Sequence, residues 1–157
     1  MRRVIGIGQQ DFGDIRRENL FYVDKTAFIR EWWENRDCVT LITRPRRFGK
    51  TLTMSMLEYF FSVKHAKESK IFEGLKIWED EKYHKIQGTW PVISLSFANV
   101  KEPTYEMAKK RICQLLTDIY NKNQFLLESG LLTDEETAYF KRITTEMDEI
   151  DATMALH

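Results

Sequence analysis

The chain of 157 residues is 43% hydrophobic and 13% aromatic, which provides for one globular domain with a real core and excludes a disordered segment. Lysine plus arginine and aspartate plus glutamate stand at 24 each, so no overall field draws in nucleic acid or an anionic membrane. Any nucleic-acid contact would be local and unsupported by net charge. No apolar run approaches membrane-spanning length, and Met1-Arg2-Arg3 leads into no secretory core, so the expectation is a cytoplasmic protein without a membrane role.

Residues 1–20 read as an irregular lead-in, in which Gly6-Ile7-Gly8 is too short for a dinucleotide fingerprint. Phe21-Tyr22-Val23 is a short extended run, and Asp24 reads as the N-cap of a helix over 25–35. Phe28, Ile29, Trp32 and Trp33 share one face of that helix, as core or as a docking surface. Cys38-Val39-Thr40-Leu41-Ile42 predicts a first strand, and the apolar run 52–61 predicts a helix.

Beyond these lie a polar turn at 64–70, a short helix at 71–78 broken at Gly74, and a charged connection at 79–88. His84 in that connection has no ligand-spaced companion, nor do His65 and His157, so no metal site is expected of them. Trp90 to Phe97 predicts the second strand. A helix is expected from Thr104 to about Asn123, with Tyr105, Ala108, Ile112, Leu115, Leu116 and Ile119 at helical spacing. Another is expected from about Thr133 to Met147, with Thr133 and Glu136 as a capping box. Cys38 and Cys113 read as small buried apolar residues in a reducing cytosol.

Between the first strand and its helix lies Thr43-Arg44-Pro45-Arg46-Arg47-Phe48-Gly49-Lys50-Thr51. Strand, loop ending Gly-Lys-Thr, then helix is the context of a phosphate-binding loop. Backbone N–H groups and the helix N-terminus face an anion, the lysine reaches the outer phosphates, and the next hydroxyl meets Mg²⁺. Gly49, Lys50 and Thr51 supply these in order, and Arg46 and Arg47 add charge that can pair with phosphate. In the general pattern a glycine stands where this chain has Arg44, followed by Pro45. The loop must therefore leave its strand extended and draw its donors from Arg47 to Thr51. The bland alternative is a chance tripeptide with solvated arginines, and the flanking apolar segments weigh against it.

Three stretches together carry a family likeness: Phe21-Tyr22-Val23-Asp24-Lys25-Thr26, Thr43 to Thr51, and Pro91-Val92-Ile93-Ser94-Leu95-Ser96-Phe97. They resemble the bacterial AAA-ATPase-like proteins, P-loop proteins often joined to or found beside nuclease-like regions. In that family Arg-Pro-Arg-Arg-Phe-Gly-Lys-[Ser/Thr] is the usual loop. The resemblance implies an α/β fold, the AAA-like three-layer P-loop NTPase architecture, with an incomplete parallel sheet. It implies that residues 1–157 are the N-terminal part of one such domain, with 1–36 as lead-in and first helix and 37–157 as the P-loop core. It implies ATP and Mg²⁺ as cofactors, held by Arg46, Arg47, Phe48, Gly49, Lys50, Thr51 and Leu52. Lys50 would be the catalytic residue, Thr51 the Mg²⁺ ligand, and the Tyr22–Thr26 segment would lie near the adenine.

The resemblance also implies a Walker B strand ending in Asp-Glu, expected just beyond His157. Asp148-Glu149 does not qualify, because Ile143-Thr144-Thr145-Glu146-Met147 before it is polar and continues a helical pattern. Whether the chain is an ATPase is thus left open. AAA-type sheets set other strands between the first and second, so unpaired edges and marginal stability are expected, unless 38–43 and 91–97 pair with each other. The partners to consider are nucleotide, a second copy, or a missing C-terminal half. A non-hydrolysing module that holds nucleic-acid phosphates or a protein partner is the alternative function. A small P-loop kinase ranks last, since no acceptor site or arginine-rich lid is identifiable.

Overall fold

The computed structural model describes residues 3–145 and 147–155, so the readings placed on Met1, Arg2, Glu146 and His157 lie outside the described residues. The chain divides into two units, Met1–Val92 and Ile93–His157.

The first unit begins with α1, Phe12–Arg17, where an irregular lead-in was expected. Asp11 caps it, accepting the Asp14 N–H at 2.8 Å, and Arg16 and Arg17 sit at its C-terminal end, matching the helix dipole. Its apolar stripe is short, and Phe12 is the part that matters. That ring is fully buried and meets Tyr22, Tyr59 and Phe72 at centroid distances of 5.4, 6.2 and 5.2 Å. Helix α2, Ala27–Asn35, starts two residues later than Asp24 predicted and ends at Arg36, which is left-handed at φ 56°. Helix α3, Lys50–Phe61, buries Met56, Tyr59, Phe60 and Phe61 toward its C-terminal end. Trp32 and Trp33 pack on Phe61 at 5.3 and 5.7 Å, which makes them core aromatics. Single 3-10 turns at Val63–His65, Ser69–Phe72 and Lys76–Glu79, then α4, Glu81–His84, close the unit. Gly74, at φ +75°, makes the break between the last two turns.

The α/β expectation is overturned. Among the described residues there is no strand and no sheet, so the three-layer P-loop architecture with an incomplete parallel sheet is not the fold observed. Residues 39–45 and 91–97 are irregular segments without ladder partners. Val39 and Leu41 are 88% and 82% exposed, and Ile93 is 67% exposed. An apolar pattern favours extended chain, but a strand exists only when a neighbour takes its N–H and C=O groups. Cys38, predicted buried at the head of such a strand, is exposed for the same reason, and Cys113 is half-buried. The single described pairing is a parallel bridge of Ser62 with Trp90. In it the Trp90 N–H donates to the Phe61 carbonyl and the Val63 N–H to the Trp90 carbonyl, both at 2.9 Å.

The second unit is helical as the spacing predicted. Helix α5, Tyr105–Lys122, is capped by Thr104, which accepts the Met107 N–H at 3.3 Å. Helix α6, Asp134–Thr145, opens with the expected reciprocal pair. The Glu136 N–H donates to the Thr133 hydroxyl at 3.2 Å and the Thr133 N–H to the Glu136 carboxylate at 2.8 Å. Helix α7, Glu149–Met154, starts at Asp148, whose carboxylate accepts the Asp151 N–H at 2.7 Å. Asp148 is therefore a helix cap, in keeping with its rejection as a strand-end metal ligand.

Leu116, Phe140 and Ile143 are buried apolar residues of this unit, with Tyr120 against Phe140 at 4.8 Å. Asp151 is 3% exposed and is held by both terminal guanidinium nitrogens of Arg142, one at 2.7 Å. Removing the arginine would leave a buried carboxylate short of its strongest donor. Arg142→Ala is therefore expected to weaken this unit by about 2 kcal/mol. Hydrogen exchange at the α6 amides should accelerate about 30-fold, and unchanged exchange would mean that the ion pair is dispensable.

Candidate functional site

The loop before α3 is shaped by its backbone. Arg47 and Gly49 are left-handed, at φ 69° and 75°, and Gly49 stands at the N-cap of α3 with no side-chain cap. The Gly49 carbonyl accepts the Thr53 N–H at 2.8 Å and the Thr53 hydroxyl at 3.0 Å. The N–H groups of Lys50, Thr51 and Leu52 have no hydrogen-bond partner among the described residues. These are three adjacent open donors at the positive end of a helix of 12 residues.

The cations around it are arranged unequally. The Lys50 ammonium donates to the Arg44 carbonyl, and the Lys25 ammonium donates to the Phe48 carbonyl at 3.0 Å. A cavity of about 410 Å³ opens here, lined by Lys25, Arg44 and Lys50, by Phe28, Ile42 and Phe48, and by Thr53. Of the residues the sequence singled out, Phe48 and Lys50 line this cavity and Gly49 stands at its edge against Lys25. Arg46, Arg47, Thr51 and Leu52 are not among the lining residues. Arg46 and Arg47 are exposed and make no ion pair among the described residues.

Lys25 is the residue that sequence reasoning missed. The segment Tyr22–Thr26 drew attention as a block, but its members do different things. Tyr22 is a core residue, with its hydroxyl on the Met56 sulfur at 3.3 Å. Burial pushes its phenol up to about 12. Asp24 is not the expected N-cap of the following helix. One carboxylate oxygen accepts the Thr26 N–H at 2.8 Å and the Thr26 hydroxyl at 2.6 Å, and the other accepts the Lys76 N–H at 2.8 Å.

The Thr26 oxygen in turn accepts the Ile77 N–H at 3.1 Å, and Thr26 is fully buried. Asp24 and Thr26 thus tie this segment to the turn at Lys76–Glu79, and Lys25 between them is the member that meets the loop. Burial raises the Asp24 carboxyl, but the Lys76 N–H and the Thr26 hydroxyl and N–H outweigh it and hold the group below its usual value. Among the described residues no group of His, Cys, Asp and Glu is arranged to hold a metal ion by itself. No helix among them is long and apolar enough to cross a membrane.

A family model described as AAA-ATPase_like, predicted AAA-ATPase, matches residues 6–154. The chain is 32% identical over 120 residues to an uncharacterized protein in the vnfD 5' region of Azotobacter chroococcum mcd 1. That alignment covers 74% of this chain and 21% of the relative, so the chain spans about a fifth of the relative's length. No solved structure matches the chain.

The Asp24 clamp makes a pH-dependent prediction. Asp24→Ala removes charge-assisted bonds to backbone and hydroxyl donors and should cost about 2–4 kcal/mol near neutrality. A carboxyl lowered in the folded state stabilises above its unfolded pKa, and that stability is lost as pH falls through the folded value. The gap between wild type and Asp24→Ala in urea midpoint should be full at pH 6 and shrink below about pH 4. A gap independent of pH would contradict the ionised clamp.

Proposed function

The chain belongs to the predicted AAA-ATPase family, and on that premise we propose that it binds ATP with Mg²⁺ at the loop that opens α3. One observation carries the reading: the unpartnered N–H groups of Lys50, Thr51 and Leu52, at a helix start edged by the Lys50 side chain. A phosphate oxygen set at that point accepts from these donors and takes the dipole of α3. The backbone from Phe48 to Leu52 forms the cradle. Lys50 exchanges its bond to the Arg44 carbonyl for one to the outer phosphates, where it offsets their negative charge.

The Thr51 hydroxyl, exposed and without a hydrogen bond among the described residues, is available to Mg²⁺. Arg46 and Arg47 add positive charge from outside the cavity. The donor set therefore fits a magnesium-bound polyphosphate, and the ion when bound would screen phosphate charge. No carboxylate is among the residues lining the cavity, so the reading is one of binding and does not include hydrolysis.

The same exposed Arg46 and Arg47 favour a second reading, in which the loop holds the phosphates of a nucleic acid. The two separate by competition. ATP binding that needs Mg²⁺ and resists DNA supports the nucleotide site. Steep salt dependence with displacement by DNA supports the second.

Lys50→Ala should reduce ATP affinity by about 10- to 100-fold, the worth of one charge-assisted contact to phosphate. Titration of a fluorescent ATP analogue, with and without Mg²⁺, reads this directly. Unchanged affinity in the variant would overturn the assignment of the loop.

A further inference from the structure

We propose that Lys25 is a second phosphate-contacting lysine of this site, brought from the segment before α2 to the same anion as Lys50. The inference rests on the nucleotide reading above and adds a residue that the loop motif does not contain. Its first support is position. The Lys25 ammonium is 3.0 Å from the Phe48 carbonyl and would lie 2.9 Å from a Cβ placed on Gly49. It therefore sits over the last residues of the loop, next to the N–H groups at the start of α3 that have no partner among the described residues. It also lines the same cavity as Arg44 and Lys50.

The second support is charge. An ammonium has three donors, and among the described residues the Lys25 ammonium has one hydrogen-bond partner, the Phe48 carbonyl. Lys25 makes no ion pair among the described residues, because the neighbouring Asp24 carboxylate is taken by Thr26 and the Lys76 N–H. Lys25, Arg44 and Lys50 thus line one cavity with no acidic residue among the lining groups. Gathering like charges costs energy until an anion arrives. A nucleoside polyphosphate, whose charges are spaced along a chain, satisfies several of them together.

The third support is rigidity. Asp24 and Thr26 anchor the backbone on both sides of Lys25 to Lys76 and Ile77. The Lys25 carbonyl accepts the Phe28 N–H at 3.0 Å. The flexible part of this residue is its side chain alone, so directing it at a phosphate costs only side-chain entropy. A lysine serving merely to brace the loop needs no more than the carbonyl contact. A phosphate-contacting lysine uses its charge, and that difference is measurable.

The experiment is a titration of the fluorescent ATP analogue into wild type, Lys50→Ala, Lys25→Met and Lys25→Arg, at low and high salt. Lys25→Met keeps the apolar stem of an exposed residue and removes the charge. It should weaken binding about tenfold at about 50 mM salt and only about two- to threefold at about 500 mM. Lys25→Arg should stay within about twofold of wild type. Hydrogen exchange at 46–53 without nucleotide should be unaltered in Lys25→Met.

A loss equal at both salts, together with faster exchange in the loop, identifies a brace and overturns the proposal. So does wild-type affinity in Lys25→Met while Lys50→Ala has lost it, an outcome that leaves the nucleotide reading intact. Absence of binding by wild type, or full binding by Lys50→Ala, removes the nucleotide reading and this inference with it.

Discussion

The structure depends on how α3 divides its length. Its C-terminal half carries Met56, Tyr59, Phe60 and Phe61 into the core, with Met56 and Phe60 fully buried. Its first turn is left without a side-chain cap. An uncapped helix start forgoes about 1 kcal/mol, while burying each large apolar side chain returns about 1.5–3 kcal/mol. Burial wins by a clear margin, so the open N–H groups can persist in the folded chain. The same helix that presents these open donors is also the one on which Phe12, Trp32, Trp33 and Phe72 converge. Site and core are therefore two ends of one element.

What could be read from the sequence was what is encoded locally. The spacing of Ala108, Ile112, Leu116 and Ile119, with Thr104 ahead of them, determines α5 by contacts within a few residues. The Thr133–Glu136 box likewise closes over three positions. The Gly49-Lys50-Thr51 loop stood out as a motif because its pattern is carried by adjacent residues. The sheet was not legible, because a strand is a relation between distant segments. Leu41 and Ile93 state an apolar preference and say nothing of who would pair with them. Helix α1 escaped notice for another reason: six residues with Phe12 and Ile15 as their apolar stripe give no periodic signal.

Asp24 shows the intermediate case. Its chemistry was anticipated, since a carboxylate before a helix generally accepts backbone N–H groups. Its partners were not, because Lys76 lies 52 positions away. The consequence is functional as well as structural. With Asp24 and Thr26 committed to a distant turn, the intervening Lys25 is left to meet the loop. A motif read as a block thus resolves into alternating anchors and one outward cation.

The departure at Arg44-Pro45 then acquires a physical meaning. Pro45 contributes no N–H and disfavours helical backbone at Arg44, and the carbonyl of Arg44 is the group that holds Lys50. Phe48 does the same for Lys25. Both lysines thus donate to neutral carbonyls of the loop itself, which lowers the cost of keeping ammonium groups together. Bonds to a charged oxygen are about twice as strong as bonds to a neutral one. On the proposed nucleotide reading, exchanging carbonyl for phosphate would therefore favour the anion at each lysine without first requiring a naked charge. In the proposed site, the carbonyls of Arg44 and Phe48 hold the two ammonium groups where phosphate oxygens would take them over.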